Sequence, residues 1–466
     1  MARDAGEAMT ASDTAVVGVP GVDEGASGES STSVGPLESP RLNRLFRDLA
    51  MGDEAALDAF WAEVDAAGAP LVEEIPDEPG SRLVTFLWRT SDAGDEQQPL
   101  ENVVLLAFFV EGEPADKTLR HLAGTDVWYR SYRIMADIRA DYTFLVNDSL
   151  EPFHGPDVDR EAIRARLARA VNDPRNPRTV VQPWMEIAED GYRADASILE
   201  LPDAPPFVWK GLRDVPHGGI ERRQFASDRL GNEREVIAYT PPGYEASAAP
   251  AALFIQFDGD QCLGVLDVAN TLDNLHASGT IGPVVALFVG NVDRGSELPC
   301  NADFAAFLAD ELIPWARATY RIAPGPEAVI VSGQSYGGLA AMWAGLTRSD
   351  AVGNVLSQSG SFWWLPNPES LWGGEFPIGA APLAGWLPAQ VATWERRPLR
   401  IWMEAGRLEA TSRGPVMSLL ESNRRMRDVL VAKGYDVTYS EYAGGHDWFM
   451  WAEGLAHGLM HLAPAE

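Results

Sequence analysis

One stretch, Gly333-Gln334-Ser335-Tyr336-Gly337-Gly338, restricts what this chain can fold into more than any other. It follows the apolar run Ala328–Val331 and leads directly into the helical pattern Leu339-Ala340-Ala341-Met342-Trp343. A chain that turns from strand to helix this sharply leaves no room for side chains at the flanking positions, so glycines stand there. The residue at the apex, Ser335, is then held clear of both elements at the carboxyl end of its strand. The bland alternative is a glycine-rich turn with no chemistry. The surrounding sequence decides between the two.

From residue 206 onward, strand and helix patterns alternate. Strands are expected at Glu235–Tyr239, Ala252–Phe257, Val284–Val289, Ala328–Val331, Leu399–Met403 and Val437–Tyr442. Helical spacing covers Asp303–Tyr320, Gly338–Leu346 and Val416–Lys433. Such alternation predicts a mostly parallel sheet covered by helices. Between about 80 and 150 the pattern is different: Leu83–Trp88, Val103–Val110, Asp126–Met135 and Tyr142–Val146 are short, branched and aromatic, with breakers at Pro79-Gly80, Gly94 and Gly112. They predict an antiparallel sandwich. Residues 41–67 carry apolar groups at three- and four-residue spacing, the mark of a packing helix. The Pro-rich stretch 150–210 separates the two patterns. The expected division is a disordered tail at 1–37, an N-terminal sandwich with linker at 38–205 and an α/β domain at 206–466.

The 37 basic and 68 acidic side chains give a formal charge of −31. That balance argues against binding nucleic acid, which needs basic patches to displace its counterions. Two cysteines, Cys262 and Cys300, cannot build a disulfide framework and are expected to be reduced thiols. The N-terminus lacks the cationic start and apolar run of a secretory signal, and no apolar run approaches the roughly 20 residues that cross a bilayer. A soluble cytoplasmic protein that contacts no membrane is the expectation, with a monomer as the default state.

Ser335 needs a base. In the α/β-hydrolase order of serine, acid, histidine, the base must follow the serine. Of the seven histidines, only His446, His457 and His461 do so. His446 follows the strand Val437–Tyr442 and the turn Gly444-Gly445, at the correct end of the sheet. His457 and His461 lie four apart on the last helical stretch, where packing or solvation explains them, and no third ligand supports a metal there. The acid should follow the strand Leu399–Met403. Glu409 lies just past its end, Glu404 is still within it, and Asp447 adjoins the histidine at an awkward angle. The oxyanion donors expected are the N–H of Tyr336 and that of Gly259 or Asp260, in the loop after Phe257.

With these residues assembled, the chain resembles the enterochelin esterases. The resemblance also rests on Leu122-Ala123-Gly124-Thr125-Asp126-Val127-Trp128-Tyr129, Asp173-Pro174-Arg175-Asn176-Pro177, Arg294-Gly295-Ser296-Glu297-Leu298, Asn301-Ala302-Asp303-Phe304 and Gly444-Gly445-His446-Asp447. It covers nearly everything after the tail. Cys262 departs from it, standing where an aromatic residue is more usual. The resemblance implies an N-terminal β-sandwich beside an α/β-hydrolase esterase domain. It also implies a cytoplasmic serine esterase that cleaves the trilactone of a ferric catecholate siderophore, with Ser335, His446 and Glu409 as its triad. Iron would belong to the substrate, so no cofactor or protein metal site is expected. An anionic substrate calls for local positive charge: Arg294 is the first candidate, with an ion pair to Glu297 as its alternative role. Trp128, Arg130 and Arg133 could contribute from the sandwich. A general carboxylesterase or acyltransferase on the same scaffold, or a siderophore-binding protein with an idle centre, are the rival readings.

Overall fold

The structure, a computed structural model, describes residues 38–93, 99–110, 112–153, 159–181, 195–211, 213–244, 249–366, 385–410 and 417–465. The expected tail lies outside the described residues. Two helices open the described part of the chain, α1 (Pro40–Ala50) and α2 (Ala56–Ala67). The single helix expected over 41–67 is thus broken: the chain turns at Gly52, whose φ of 83° an L side chain rarely adopts. Ser39 caps α1 by accepting a hydrogen bond from the Leu42 N–H.

Among the described residues, eight strands build the N-terminal lobe: β1 (Leu71–Glu74), β2 (Ser81–Arg89), β3 (Val103–Ala107), β4 (Arg120–His121), β5 (Val127–Met135), β6 (Arg139–Val146), β7 (Thr179–Val181) and β8 (Asp195–Glu200). A short helix, α3 (Arg160–Leu167), lies between β6 and β7. The strands form two antiparallel sheets, ordered β1-β2-β5-β4 and β3-β6-β8-β7. Their shared core is built from Val84, Phe86, Trp88, Val103, Leu105, Tyr142, Phe144 and Leu199. Four of these strands were legible as branched or aromatic runs. The other four are short or polar and gain their strand character from pairing.

The C-terminal lobe holds β9 (Gly219–Ser227), β10 (Asn232–Thr240), β11 (Ala252–Phe257), β12 (Val284–Val289), β13 (Val329–Gln334), β14 (Asn354–Gln358), β15 (Arg400–Gly406) and β16 (Asp436–Tyr442). They form one sheet in the order β16-β15-β14-β13-β11-β12-β10-β9. The six strands β11 to β16 run parallel, while β9 and β10 pair antiparallel at one edge. Among the described residues the helices of this lobe are α4 (Gly259–Gly264), α5 (Val268–Ser278), α6 (Arg294–Glu297), α7 (Ala302–Phe307), α8 (Ile313–Thr319), α9 (Tyr336–Thr347), α10 (Trp386–Thr393), α11 (Leu419–Ala432) and α12 (Trp451–Leu462). A π-helical turn at Leu308–Leu312 joins α7 to α8.

Helices cover both faces of this sheet. One core contains Leu253, Ile255, Val331, Leu339 and Met342, and the other Phe254, Val284, Phe288, Trp451 and Leu455. Strands buried on both faces read as continuous apolar runs, which is why β11 and β12 coincide with their expected spans. The fold is therefore an α/β-hydrolase domain preceded by a β-sandwich.

The apolar runs are interrupted at one level of the sheet. Gln256, Gln334, Gln358 and Glu404, all buried, stand near the carboxyl ends of β11, β13, β14 and β15. Gln256 Nε2 donates to Gln334 Oε1 at 3.0 Å, Gln334 Nε2 to Gln358 Oε1 at 2.7 Å, and Gln358 Nε2 to Glu404 Oε1 at 2.6 Å. From Gln334 to Glu404 each acceptor oxygen takes the amide before it, as buried polar groups require, while Gln256 Oε1 at the head of the ladder has no hydrogen-bond partner among the described residues. Burial pushes the Glu404 carboxyl up to about 8, against the opposing effect of the Gln358 hydrogen bond.

Candidate active site

Ser335 sits between β13 and α9 with φ 57° and ψ −117°, a backbone conformation sparsely populated by residues with a side chain. Holding it there costs about 1–3 kcal/mol. The surroundings enforce it. Its N–H donates to the Gln358 carbonyl at 3.0 Å, and its carbonyl accepts from the N–H groups of Ser361 and Leu339. A Cβ on Gly333 would lie 2.5 Å from the Gly337 backbone, and one on Gly338 3.0 Å from the Gly360 Cα. The glycines are thus what the tight turn requires. Ser335 Oγ lies 3.3 Å from Ser361 Oγ, a partner that the sequence did not suggest.

His446 and Glu409 are brought together by neighbouring strands. Glu409 lies three residues past the end of β15 and His446 four past the end of β16, and both are nearly inaccessible, at 4% and 7% exposure. His446 Nδ1 and Glu409 Oε1 are 2.5 Å apart. Glu409 Oε2 accepts from the Gly406 N–H at 2.9 Å, so both carboxylate oxygens are engaged. The loops lie close: Leu408 N–H donates to the Gly444 carbonyl, and a Cβ on Gly406 would lie 2.5 Å from that same oxygen. Trp451 packs edge-on against the imidazole at 4.9 Å and donates from Nε1 to Ser359 Oγ at 3.0 Å. Ser359 adjoins Gln358, which holds Ser335, so the three loops meet at the carboxyl end of the sheet.

The two other candidate acids have other partners. Glu404 closes the glutamine ladder. The Asp447 carboxyl is held well above its usual range by burial and by the Asp141 carboxyl of the sandwich. Among the later histidines, His461 hydrogen-bonds Thr438 and packs on Trp402, and His457 is exposed.

Gly259 opens α4 immediately after Asp258, whose φ is 55°. A Cβ on Gly259 would lie 2.7–2.9 Å from the backbone of Phe288 and Val289, so only glycine lets this loop lie against β12. Gly259 and Asp260 are the first residues of α4 and Tyr336 is the first of α9. First-turn amides of this kind have no carbonyl acceptor within their own helix. Cys262, the departure from the family pattern, is buried with Sγ 3.2 Å from the Phe257 carbonyl, in the core rather than on an open wall.

Arg294 stands beside both helix starts. It grips the Asp258 carboxylate through Nε at 2.7 Å and Nη2 at 3.0 Å, and its guanidinium lies 5.7 Å from the centre of the Tyr336 ring. The ion pair with Glu297 considered above does not form. Glu297 is bound instead to Arg234, a fully buried cation on β10, through contacts of 2.7 and 3.0 Å. A buried arginine without that partner would be strongly destabilising.

Trp128 and Arg130 are not brought to this site. Both lie on β5, where the Trp128 ring packs on His121 and its Nε1 donates to Thr90 Oγ1, while Arg130 donates to the Thr118 carbonyl. The end of β5 nearer the site is Met135, next to the turn that donates from the Arg139 N–H to the Ala443 carbonyl. At roughly 3.3 Å per residue, Trp128 is some 23 Å from that end and Arg130 some 17 Å. Arg133 pairs with Glu78. Sequence order could not show which end of the strand faces the other lobe.

Residues 227–462 match the Esterase family and residues 83–210 the family described as "Enterochelin esterase, N-terminal". The iron(III) enterobactin esterase of Dickeya dadantii (strain 3937) is 32% identical over 433 residues, 88% of this chain and 93% of that protein. The protein of the same name from Escherichia coli O6:H1 is 30% identical, over 81% of this chain and 90% of that one. The ferric enterobactin esterase structure from Salmonella typhimurium superimposes with a TM-score of 0.70 at 30% identity, covering 87% of this chain and 98% of that one. The Shigella flexneri enterobactin esterase, determined in the presence of enterobactin, gives 0.66 at 27% identity, covering 87% and 97%. With both lobes matched and relatives aligned along most of its length, the chain is a carboxylic ester hydrolase that belongs to the enterobactin (enterochelin) esterase family.

Proposed function

We propose that this protein hydrolyses the trilactone ester bonds of a ferric catecholate siderophore through Ser335, His446 and Glu409. The reading is supported by the names of its relatives and, above all, by the buried 2.5 Å contact between Glu409 and His446 at the sheet end where Ser335 is displayed. With Nδ1–H donated to Glu409, the neutral imidazole keeps its Nε2 lone pair as a base.

Ser335 Oγ attacks an ester carbonyl while His446 Nε2 takes its proton. The carbonyl oxygen becomes an oxyanion held by the amides of Tyr336 and of Gly259 or Asp260. Collapse breaks the ester C–O bond, and the leaving seryl oxygen takes the proton back from His446. Water, deprotonated by the same imidazole, then releases the acyl group and regenerates Ser335. Glu409 stays ionised and stabilises the imidazolium.

A tris-catecholate complex of ferric ion is a trianion, and Arg294 is a cation beside both helix starts. Asp258 engages Nε and Nη2, leaving Nη1 without a hydrogen-bonded partner among the described residues. We assign it to the anionic head of the substrate. Iron arrives as cargo, and opening the trilactone weakens its hold because three tethered arms become separate ligands of lower effective concentration. No helix among the described residues is long and apolar enough to cross a membrane. We place the reaction in the cytoplasm, with the protein as a monomer.

The test is chromatographic analysis of products from a ferric catecholate trilactone with wild type and Ser335→Ala. Linear trimer, dimer and monomer from wild type alone are expected. Equal products from both would remove Ser335 from the mechanism, and an intact trilactone beside rapidly cleaved simple acyl esters would remove the substrate.

A further inference from the structure

The end of β3 is the place where the N-terminal lobe comes up against His446. Phe108 and Phe109 turn out of that strand in opposite senses. Phe109 stacks on Phe86 at 5.7 Å and belongs to the sandwich core, whereas the Phe108 ring lies 6.0 Å from the imidazole of His446. A Cβ on Gly445 would lie 2.7 Å from the Phe108 Cβ, so the glycine before His446 is what lets this side chain approach.

The placement is held from several directions. Arg139 N–H donates to the Ala443 carbonyl, the Arg407 guanidinium pairs with Asp137 at 2.5 Å, and Leu408 and Ala443 pack on the sandwich core. These contacts tie the β5–β6 turn to both the Glu409 loop and the His446 loop. Phe108 nonetheless stays partly exposed, in a turn. Two further half-buried rings flank the nucleophile: Tyr336, its neighbour in the chain, lies 6.1 Å from Trp363, two residues beyond Ser361.

Rings fixed in place beside a reacting centre favour planar aromatic partners, because offset or edge-on arene pairs gain beyond area alone. We infer that Phe108, contributed by the N-terminal lobe, is a specificity-determining wall of the active site that contacts an aromatic acyl group of the substrate next to His446. This rests on the esterase reading above and deepens it: the sandwich would take a direct part in substrate choice.

The test compares two esters that differ only in the arene, the methyl esters of N-(2,3-dihydroxybenzoyl)serine and N-acetylserine. In Phe108→Ala the ratio of their kcat/KM values should fall roughly tenfold, mostly through KM on the aryl ester. Phe108→Tyr should keep the ratio, and Phe108→Leu, which still fills the space over Gly445, should lose most of it. A parallel fall on both esters would overturn the inference, since Phe108 would then only support His446; so would an unchanged ratio. In the Ser335→Ala background, fluorescence titration with N-(2,3-dihydroxybenzoyl)serine should show a similar tenfold weakening on adding Phe108→Ala, and equal affinities would also overturn it. If wild type leaves the trilactone intact but the ratio and the titration behave as expected, the substrate assignment falls and the role of Phe108 stands.

Discussion

Each residue of the proposed triad depends on one local feature. Ser335 needs a strained backbone, and Gly333 and Gly338 make the strain affordable in steric terms. Gly338→Ala should destabilise the fold by about 3 kcal/mol, read as a lowered urea midpoint, because Ser357 Oγ and the Gly360 Cα leave no room for a methyl group. Glu409 needs its ionised oxygen against Nδ1. Glu409→Gln should keep KM within about twofold while lowering kcat by roughly 10²–10⁴, because an amide at that position favours the wrong imidazole tautomer. Steady-state rates on a small activated ester measure this directly. Near-normal kcat in that variant would mean that Glu409 is a structural partner of the histidine and no more.

At the scale of elements, the parallel strands supply both display and wiring. Their carboxyl ends carry Ser335, Glu409 and His446, and one layer beneath runs the ladder from Gln256 to Glu404. Gln358→Leu would leave Gln334 Nε2, Glu404 Oε1 and the Trp451 carbonyl without their present partners. A loss of about 2–5 kcal/mol in denaturant unfolding is expected. The ladder also predicts a pH dependence of known sign. Burial holds the folded Glu404 carboxyl up at about 8, against an ordinary value of 4.5. The folded state therefore holds a proton that the unfolded state gives up. Its contribution is full below pH 4.5, declines as pH rises and is gone above about 8. Glu404→Gln removes that titration, so its urea midpoint should improve relative to wild type between pH 5 and pH 8. A constant difference across that range would show that Glu404 is ionised throughout.

Taken whole, the molecule repels its proposed substrate. A charge of −31 faces a trianion, and Arg294 is partly neutralised by Asp258. Screening should therefore help: kcat/KM for the ferric complex should rise, by roughly tenfold or less, as salt goes from about 10 to 150 mM and the Debye length shrinks from about 30 to 8 Å. An uncharged acyl ester should show little change over the same range. A fall in kcat/KM with salt would mean that the local field of Arg294 and its neighbours outweighs the global charge. The two lobes meet where the β5–β6 turn and Phe108 reach the Glu409 and His446 loops, which is the contact that the proposed role of Phe108 requires.

Much of this was legible in one dimension. The elbow declares itself because its glycines are local steric necessities, and the parallel strands do so because burial on both faces demands unbroken apolar runs. Chain order left three histidines, and the place of His446 just past a strand and the turn Gly444-Gly445 selected it. Other features could be read only in space. Gln256, Gln334, Gln358 and Glu404 interrupt their strands at a matching level, a signal that becomes visible once the strands are aligned side by side. β14 was missed because Asn354–Gln358 is half polar, and its burial comes from its neighbours. Arg294 was singled out with an ion pair to Glu297 as its alternative role; Glu297 is near in sequence, but the carboxylate that Arg294 meets in space is Asp258. Trp128 and Arg130 share a strand with the residues that approach the site, yet lie toward its other end. Local sterics and chain order determine which residues a chain can offer to chemistry. Which of them meet is decided by long-range packing, because distances between loops are set by the strands and by the contact of two lobes, and neither is written in any short stretch of sequence.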